Sequence, residues 1–139
     1  MIQRFLTVVA VVALAFLSTP QSSFAESLDD GAQKAILVTG ASSGIGLNIA
    51  KTLAAEGYFV YAGARKDADL AELDAIENVQ SVRLDVMVDA DIAAAVETVK
   101  AGGRGLYGLV NNAGVAVMGP LIEIDEEDID FQFGVNVYG

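Results

Sequence analysis

Three glycines stand between a short apolar run and an amphipathic one, in the order Thr39-Gly40-Ala41-Ser42-Ser43-Gly44-Ile45-Gly46. Glycines at 40, 44 and 46 let the chain turn tightly, let backbone amides approach a pyrophosphate and let a helix pack close to a sheet. A helix that starts here also turns its positive N-terminus toward the anion. Glycines end strands for structural reasons too, so the spacing gains meaning from its context, a strand-like run before and a helical stripe after. No lysine follows the glycines, and the nearest, Lys51, lies a turn inside the helix, which argues against a loop for ATP or GTP hydrolysis.

A second candidate is the basic pair Arg65-Lys66. The planar guanidinium fork suits a phosphate, although a basic pair opening a helix can equally be a solvated surface feature. The chain has no histidine and no cysteine. That removes the commonest general base, serine-histidine-acid hydrolysis, thiolate catalysis and disulfides. Glu123, Asp125, Glu126, Glu127, Asp128 and Asp130 form an acidic cluster, read as the start of a helix capped by Asp125 because acids there complement the helix dipole. It lacks the glycine-turned ligand array of a calcium loop, and no metal site is expected.

The elements that must hold these residues alternate along the chain. Ala35 to Val38 reads as a buried strand, and Ile45, Ile49 and Leu53 as the buried stripe of a helix ended by Gly57. Residues 58–62 read as a second strand, 67–76 as a helix and 79–84 as a third strand. A third helix over 89–100 carries Ile92, Val96 and Val99 on one face and stops at Gly102-Gly103; residues 106–110 form a fourth strand. A last helix begins near Asp125. This order implies right-handed parallel crossovers and an α/β fold of the Rossmann type, a doubly wound parallel sheet represented by its first four strands and their helices.

These motifs together resemble the short-chain dehydrogenase/reductase family. Thr39 to Gly46 is similar to its glycine motif, and Asn111-Asn112-Ala113-Gly114 to its motif after the fourth strand. Leu84-Asp85-Val86 resembles its adenine-contacting segment, and Val135-Asn136-Val137-Tyr138-Gly139 the helix segment that carries its catalytic asparagine. The resemblance implies that Thr39, Gly40, Ser42, Ser43, Gly44, Ile45, Gly46, Arg65, Asp85, Val86, Asn112, Ala113 and Gly114 serve the cofactor. It implies a catalytic role for Asn136 in organising a water relay. Ala64 stands where NAD-preferring members tend to place an acid for the ribose hydroxyls, and Arg65 follows it, so NADP(H) is favoured over NAD(H), with Ser42 as a further donor to the 2′-phosphate. Asp85 reads equally as a cap or turn acid. The resemblance gives Asn112 and Gly114 a mixed role, shaping the loop beside the cofactor and holding the neighbouring strands in place.

The implied activity is hydride transfer between NADP(H) and a small-molecule carbonyl or secondary alcohol. In the family a tyrosine moves the proton, helped by a lysine four residues on and a serine; a phenol needs such a close positive charge to ionise at neutral pH. Tyr58, Tyr61 and Tyr107 are followed at that spacing by Ala62, Arg65 and Asn111, and no Tyr-x-x-x-Lys occurs in the 139 residues. The expectation is therefore the cofactor-binding half of a longer enzyme. Its alternatives are a non-catalytic dinucleotide-binding module and a non-functional fragment.

The front of the chain is of another kind. Arg4 precedes an apolar run from Phe5 to Leu17 and small residues ending in Ser23-Phe24-Ala25, the order of a secretory signal peptide cleaved after Ala25. Residues 26–34 read as a linker, and 35–139 as the NADP(H)-binding domain. The run is short of the roughly 20 residues of a spanning helix, so export is expected and membrane association only if residues 1–25 persist as an anchor. A net charge of −11 without a basic stretch argues against nucleic acid as a partner. Pairing with a second copy is left open by the sequence.

Overall fold

The computed structural model describes residues 33–139; the signal segment and nearly all of the linker lie outside the described residues. Four parallel strands form one sheet in the order β3-β2-β1-β4. They are β1 Ala35–Val38, β2 Phe59–Ala64, β3 Val79–Arg83 and β4 Gly108–Val110. The helices are α1 Gly44–Ala55, α2 Asp67–Asp74, α3 Asp89–Ala101 and α4 Glu126–Phe133, the last running into a π-helical turn, Gly134–Tyr138. The chain thus builds outward from β1 to β3, then returns to the other side of β1 with β4. That reversal opens a crevice between the carboxyl ends of β1 and β4, where ligands bind in open α/β sheets.

The two faces of the sheet are built by alternation. Ile36, Val38, Val60, Ala62, Ala64 and Val79 face Ala50 and Ala54 of α1 and Leu73 of α2. Ala35, Tyr61, Val82 and Leu84 face Ala95 and Val99 of α3. Small residues on the helices let them approach the sheet closely. The register, with Ala35 opposite Phe59, Val60 opposite Val79 and Ile36 opposite Gly108, keeps each face consistent across strands.

Several details depart from the sequence expectation. Ile45, expected in the buried stripe of α1, is 74% exposed, because the first turn of the helix rises above the sheet end, while Ile49 and Leu53 pack against the core as expected. On α3 the inward face runs through Ala95 and Val99; Ile92 and Val96 are turned outward. The second strand extends to Ala64, two residues further than expected, and places Arg65 immediately beyond the sheet. The fourth strand is only three residues long, with Leu106 and Tyr107 before it and largely exposed. Asp125 occupies the N-cap of α4 with extended backbone but makes no side-chain cap; its carbonyl, instead, accepts from the amides of Asp128 and Ile129.

Beneath α3, Tyr61 is fully buried and its hydroxyl has no hydrogen-bond partner among the described residues. A buried unpaired hydroxyl carries a desolvation cost. Replacing Tyr61 by Phe should therefore leave stability unchanged or raise it by about 1 kcal/mol. Tyr61→Ala should lower it by about 3 kcal/mol through the cavity left behind. Urea unfolding of the two variants side by side checks both signs.

Candidate functional site

The site begins at the end of β1. Thr39 is buried, and its Oγ1 accepts hydrogen bonds from the backbone amides of Asn112 and Ala113, each at 3.0 Å. The Thr39 amide donates to the Val110 carbonyl at 3.0 Å. In return the Asn112 side-chain amide donates to the carbonyls of Thr39 at 3.0 Å and Gly40 at 3.1 Å. The loops that follow β1 and β4 are thereby joined across the sheet reversal. A further bond, from the Ala41 amide to the Gly63 carbonyl at 2.8 Å, ties the same loop to the end of β2.

Two glycines make this joint possible. Gly40 has φ +63°, which side chains disfavour, and a Cβ there would lie 2.8 Å from the Cα of Ala113. Gly46 is held against the Gly40 carbonyl and the Asn112 side chain, both of which a Cβ would overlap. The first turn of α1 is thus pressed onto the loop, with Gly44, Ile45 and Gly46 lining the crevice.

That turn is prepared for an anion. The opening amides of a helix have no intrahelical acceptor. Ser43 sits at the N-cap with extended backbone, yet its side chain makes no capping bond, and no acid lies in the first turn. The positive end of the helix is left uncompensated by the protein.

Above it lies a cavity of about 380 Å³. Its walls are Gly40, Ser42, Ser43, Gly44, Ile45 and Gly46 from the glycine loop, Ala64 and Arg65 from the end of β2, Asp85 and Val86 after β3, and Asn112, Ala113 and Gly114 after β4. The structure therefore brings twelve of the thirteen expected cofactor residues around one space. Thr39 is the exception: it does not line the cavity, because its hydroxyl lies underneath and is bonded to the Asn112 and Ala113 amides.

Leu84, Val115 and Val135 also line this space. Sequence reasoning missed all three as wall residues. Leu84 belongs to the segment already likened to an adenine-contacting one, though it was not among the expected cofactor residues, and Val115 directly follows the motif that ends at Gly114, so adjacency was its signal. Val135 is brought in by the π-helical turn, which no apolar spacing announces.

The charged groups at the rim are arranged in sequence. Arg65 faces Asp85 at 3.8 Å, with both side chains partly solvated. Asp85 also accepts from the Met87 amide at 3.0 Å, as a turn acid would. Asn136 does not line the cavity. Its side chain clamps the backbone of Val115, accepting from its amide and donating to its carbonyl, each at 2.9 Å. It also borders a separate, mostly apolar groove with Leu121, Ile124 and Phe133.

Closely packed glycines, uncapped helix amides, a basic fork at the end of β2 and an acid after β3 surround one space, and this donor set suits a pyrophosphate flanked by a ribose and a base.

Comparison with known proteins gives a concordant result. A model of the family described as short chain dehydrogenase matches residues 34–139. The chain is 33% identical over 134 residues to the mitochondrial D-beta-hydroxybutyrate dehydrogenase of Mus musculus, covering 89% of this chain and 39% of that protein. It is 39% identical over 114 residues to L-xylulose reductase of Caenorhabditis elegans, covering 79% of this chain and 45% of that one. Among solved structures, L-sorbose reductase from Gluconobacter frateurii, complexed with NADPH and L-sorbose, matches with a TM-score of 0.69 and 32% identity over 77% of this chain and 43% of its own. The 3-ketoacyl-(acyl-carrier-protein) reductase from Brucella melitensis, complexed with NADH, matches with a TM-score of 0.71 and 34% identity, covering 75% and 44%. The chain spans less than half the length of each of these relatives.

Removing the hydroxyl of Thr39 should loosen the joint on which the cavity depends. Thr39→Val leaves two part-buried amides without an acceptor and is expected to destabilise by about 2 kcal/mol. Thr39→Ser should lose much less. Chemical denaturation of the pair measures the difference, and equal losses would contradict the hydroxyl's role.

Proposed function

The chain belongs to the short-chain dehydrogenase family, and from that membership we propose that its cleft binds NADP(H) in preference to NAD(H), within an oxidoreductase acting on a small carbonyl compound or secondary alcohol. One observation carries the reading: the uncapped first turn of α1 and Arg65 line the same cavity at the sheet reversal. When bound, the nicotinamide supplies or accepts the hydride. The chain's own residues bind and orient it.

Gly40 and Gly46 keep the loop close enough for amides of the α1 turn to hold the pyrophosphate, Ser43 adds a hydroxyl at its edge, and Ser42 offers a further donor to a 2′-phosphate. Asp85 and Val86 take the adenine end. Ala64 places no carboxylate beside the adenosine ribose, and Arg65 offers a bidentate donor to a 2′-phosphate there. Asn112, Ala113 and Gly114 form the opposite wall. Asn136 is the residue of this chain assigned to the proton path, through the rim segment at Val115 that it clamps. The dehydrogenase and reductases among the relatives support a small oxygenated substrate class. Residues 1–25 are proposed to direct export.

Titration of the chain with NADPH and NADH, followed by nicotinamide fluorescence or calorimetry, tests the cofactor assignment. NADPH is expected to bind more tightly. Arg65→Gln should reduce that preference by about tenfold, the equivalent of one charge-assisted hydrogen bond, with little change in NADH affinity. Equal affinities in the unmodified chain would overturn the preference.

A further inference from the structure

Arg83 belongs to none of the motifs considered so far and does not line the cavity, yet it reaches the segment that supplies the cavity's basic fork. The β2/β3 register sets Arg83 opposite Ala64. The two strands continue in step, with the Leu84 amide donating to the Ala64 carbonyl at 2.9 Å. From this position Nη1 of Arg83 donates to the backbone carbonyl of Arg65 at 2.6 Å, and Nη2 pairs with the carboxylate of Asp67, the first residue of α2. One rigid guanidinium therefore grips Arg65, the first of the two residues that connect β2 to α2, together with Asp67, where the helix begins.

That connection has few other restraints. Lys66, at the N-cap of α2, makes no side-chain capping bond. The Arg65 side chain itself faces Asp85 only at 3.8 Å and is more than half exposed, a class of ion pair that holds a side chain weakly. The direction in which Arg65 leaves the backbone is thus governed by where its peptide is fixed.

We propose that Arg83 is a positioning residue that sets the cofactor preference of the cleft, by fixing the Arg65 peptide so that the Arg65 guanidinium meets a 2′-phosphate. The proposal rests on the reading of Arg65 as the phosphate ligand. It assigns Arg83 no contact with the cofactor. A planar fork is required because one group must reach a carbonyl and a carboxylate together, which an ammonium point charge does less well.

The test uses the full chain and measures dissociation constants for NADPH and NADH in parallel with thermal melting. Arg83→Gln is expected to lower the NADH-to-NADPH ratio of dissociation constants by about fivefold while NADH affinity stays unchanged, since exposed charged hydrogen bonds of this kind contribute on that order. Arg83→Lys should recover part of the ratio. Loss of affinity for both cofactors together, or a lower melting temperature with an unchanged ratio, overturns the proposal and leaves Arg83 as a brace between β3 and α2.

Failure of the underlying reading looks different. In that case the unmodified chain shows no preference, or Arg65→Gln leaves it intact, and both proposals fall. A selective chain that loses its preference in Arg65→Gln and keeps it in Arg83→Gln overturns only the role of Arg83. Should Arg83→Gln fail to melt cooperatively, Asp67→Asn carries the test at a side chain 91% exposed. It releases one arm of the fork, and the ratio is expected to fall in the same direction; an unchanged ratio there overturns the proposal.

Discussion

The reciprocal hydrogen bonding between Thr39 and Asn112 is the constraint from which the rest of the cleft follows. A sheet that reverses its order beside β1 has two loops leaving adjacent strands in divergent directions, and nothing in strand pairing alone fixes their separation. Here one buried hydroxyl accepts from two amides of the far loop while one carboxamide returns two bonds to the near loop. The groups are part-buried, so leaving any of them unpaired is costly. The same joint explains why Gly40 and Gly46 carry no side chain: a Cβ on Gly40 would overlap Ala113, and one on Gly46 would overlap the Gly40 carbonyl and the Asn112 side chain.

Electrostatics then act on a frame already set. The protein is strongly acidic, with a net charge of −11, which disfavours approach of a multiply charged anion. Local features oppose that field: helix amides uncompensated by an N-cap side chain or an acid, and the cations Arg65 and Lys66 at the end of β2. Short-range, partly desolvated donors are screened less by salt than distant surface charges. A site of this kind can therefore hold phosphate on a protein whose overall charge repels it.

Much of this was legible in the sequence, and the parts that were not share a cause. The glycine loop, the order of strands and helices, and the strand bounds at Ala35 to Val38 follow from local pattern, because turns and period-two or period-3.6 burial are local properties. Ile45 misled, since spacing reports which side of a helix is apolar but not where the sheet beneath it ends. On α3 the pattern chose the larger residues Ile92 and Val96, whereas close packing turned Ala95 inward. Thr39 was recognised by its motif, but its place beneath the cavity depends on a partner 73 residues away. Arg83 was silent for the same reason: its meaning lies in standing opposite Ala64, a register that one strand's sequence does not specify.

The cleft at the sheet reversal is proposed to hold a dinucleotide through the first turn of α1. Amide chemical shifts of the isotopically labelled chain, recorded while NADPH is added, test it most directly. The account predicts saturable shifts concentrated at Gly44, Ile45 and Gly46, with further changes at Arg65, Asp85 and Asn112 to Gly114. Shifts confined to the separate groove around Leu121 and Phe133, or none at the α1 turn at saturating NADPH, would contradict it.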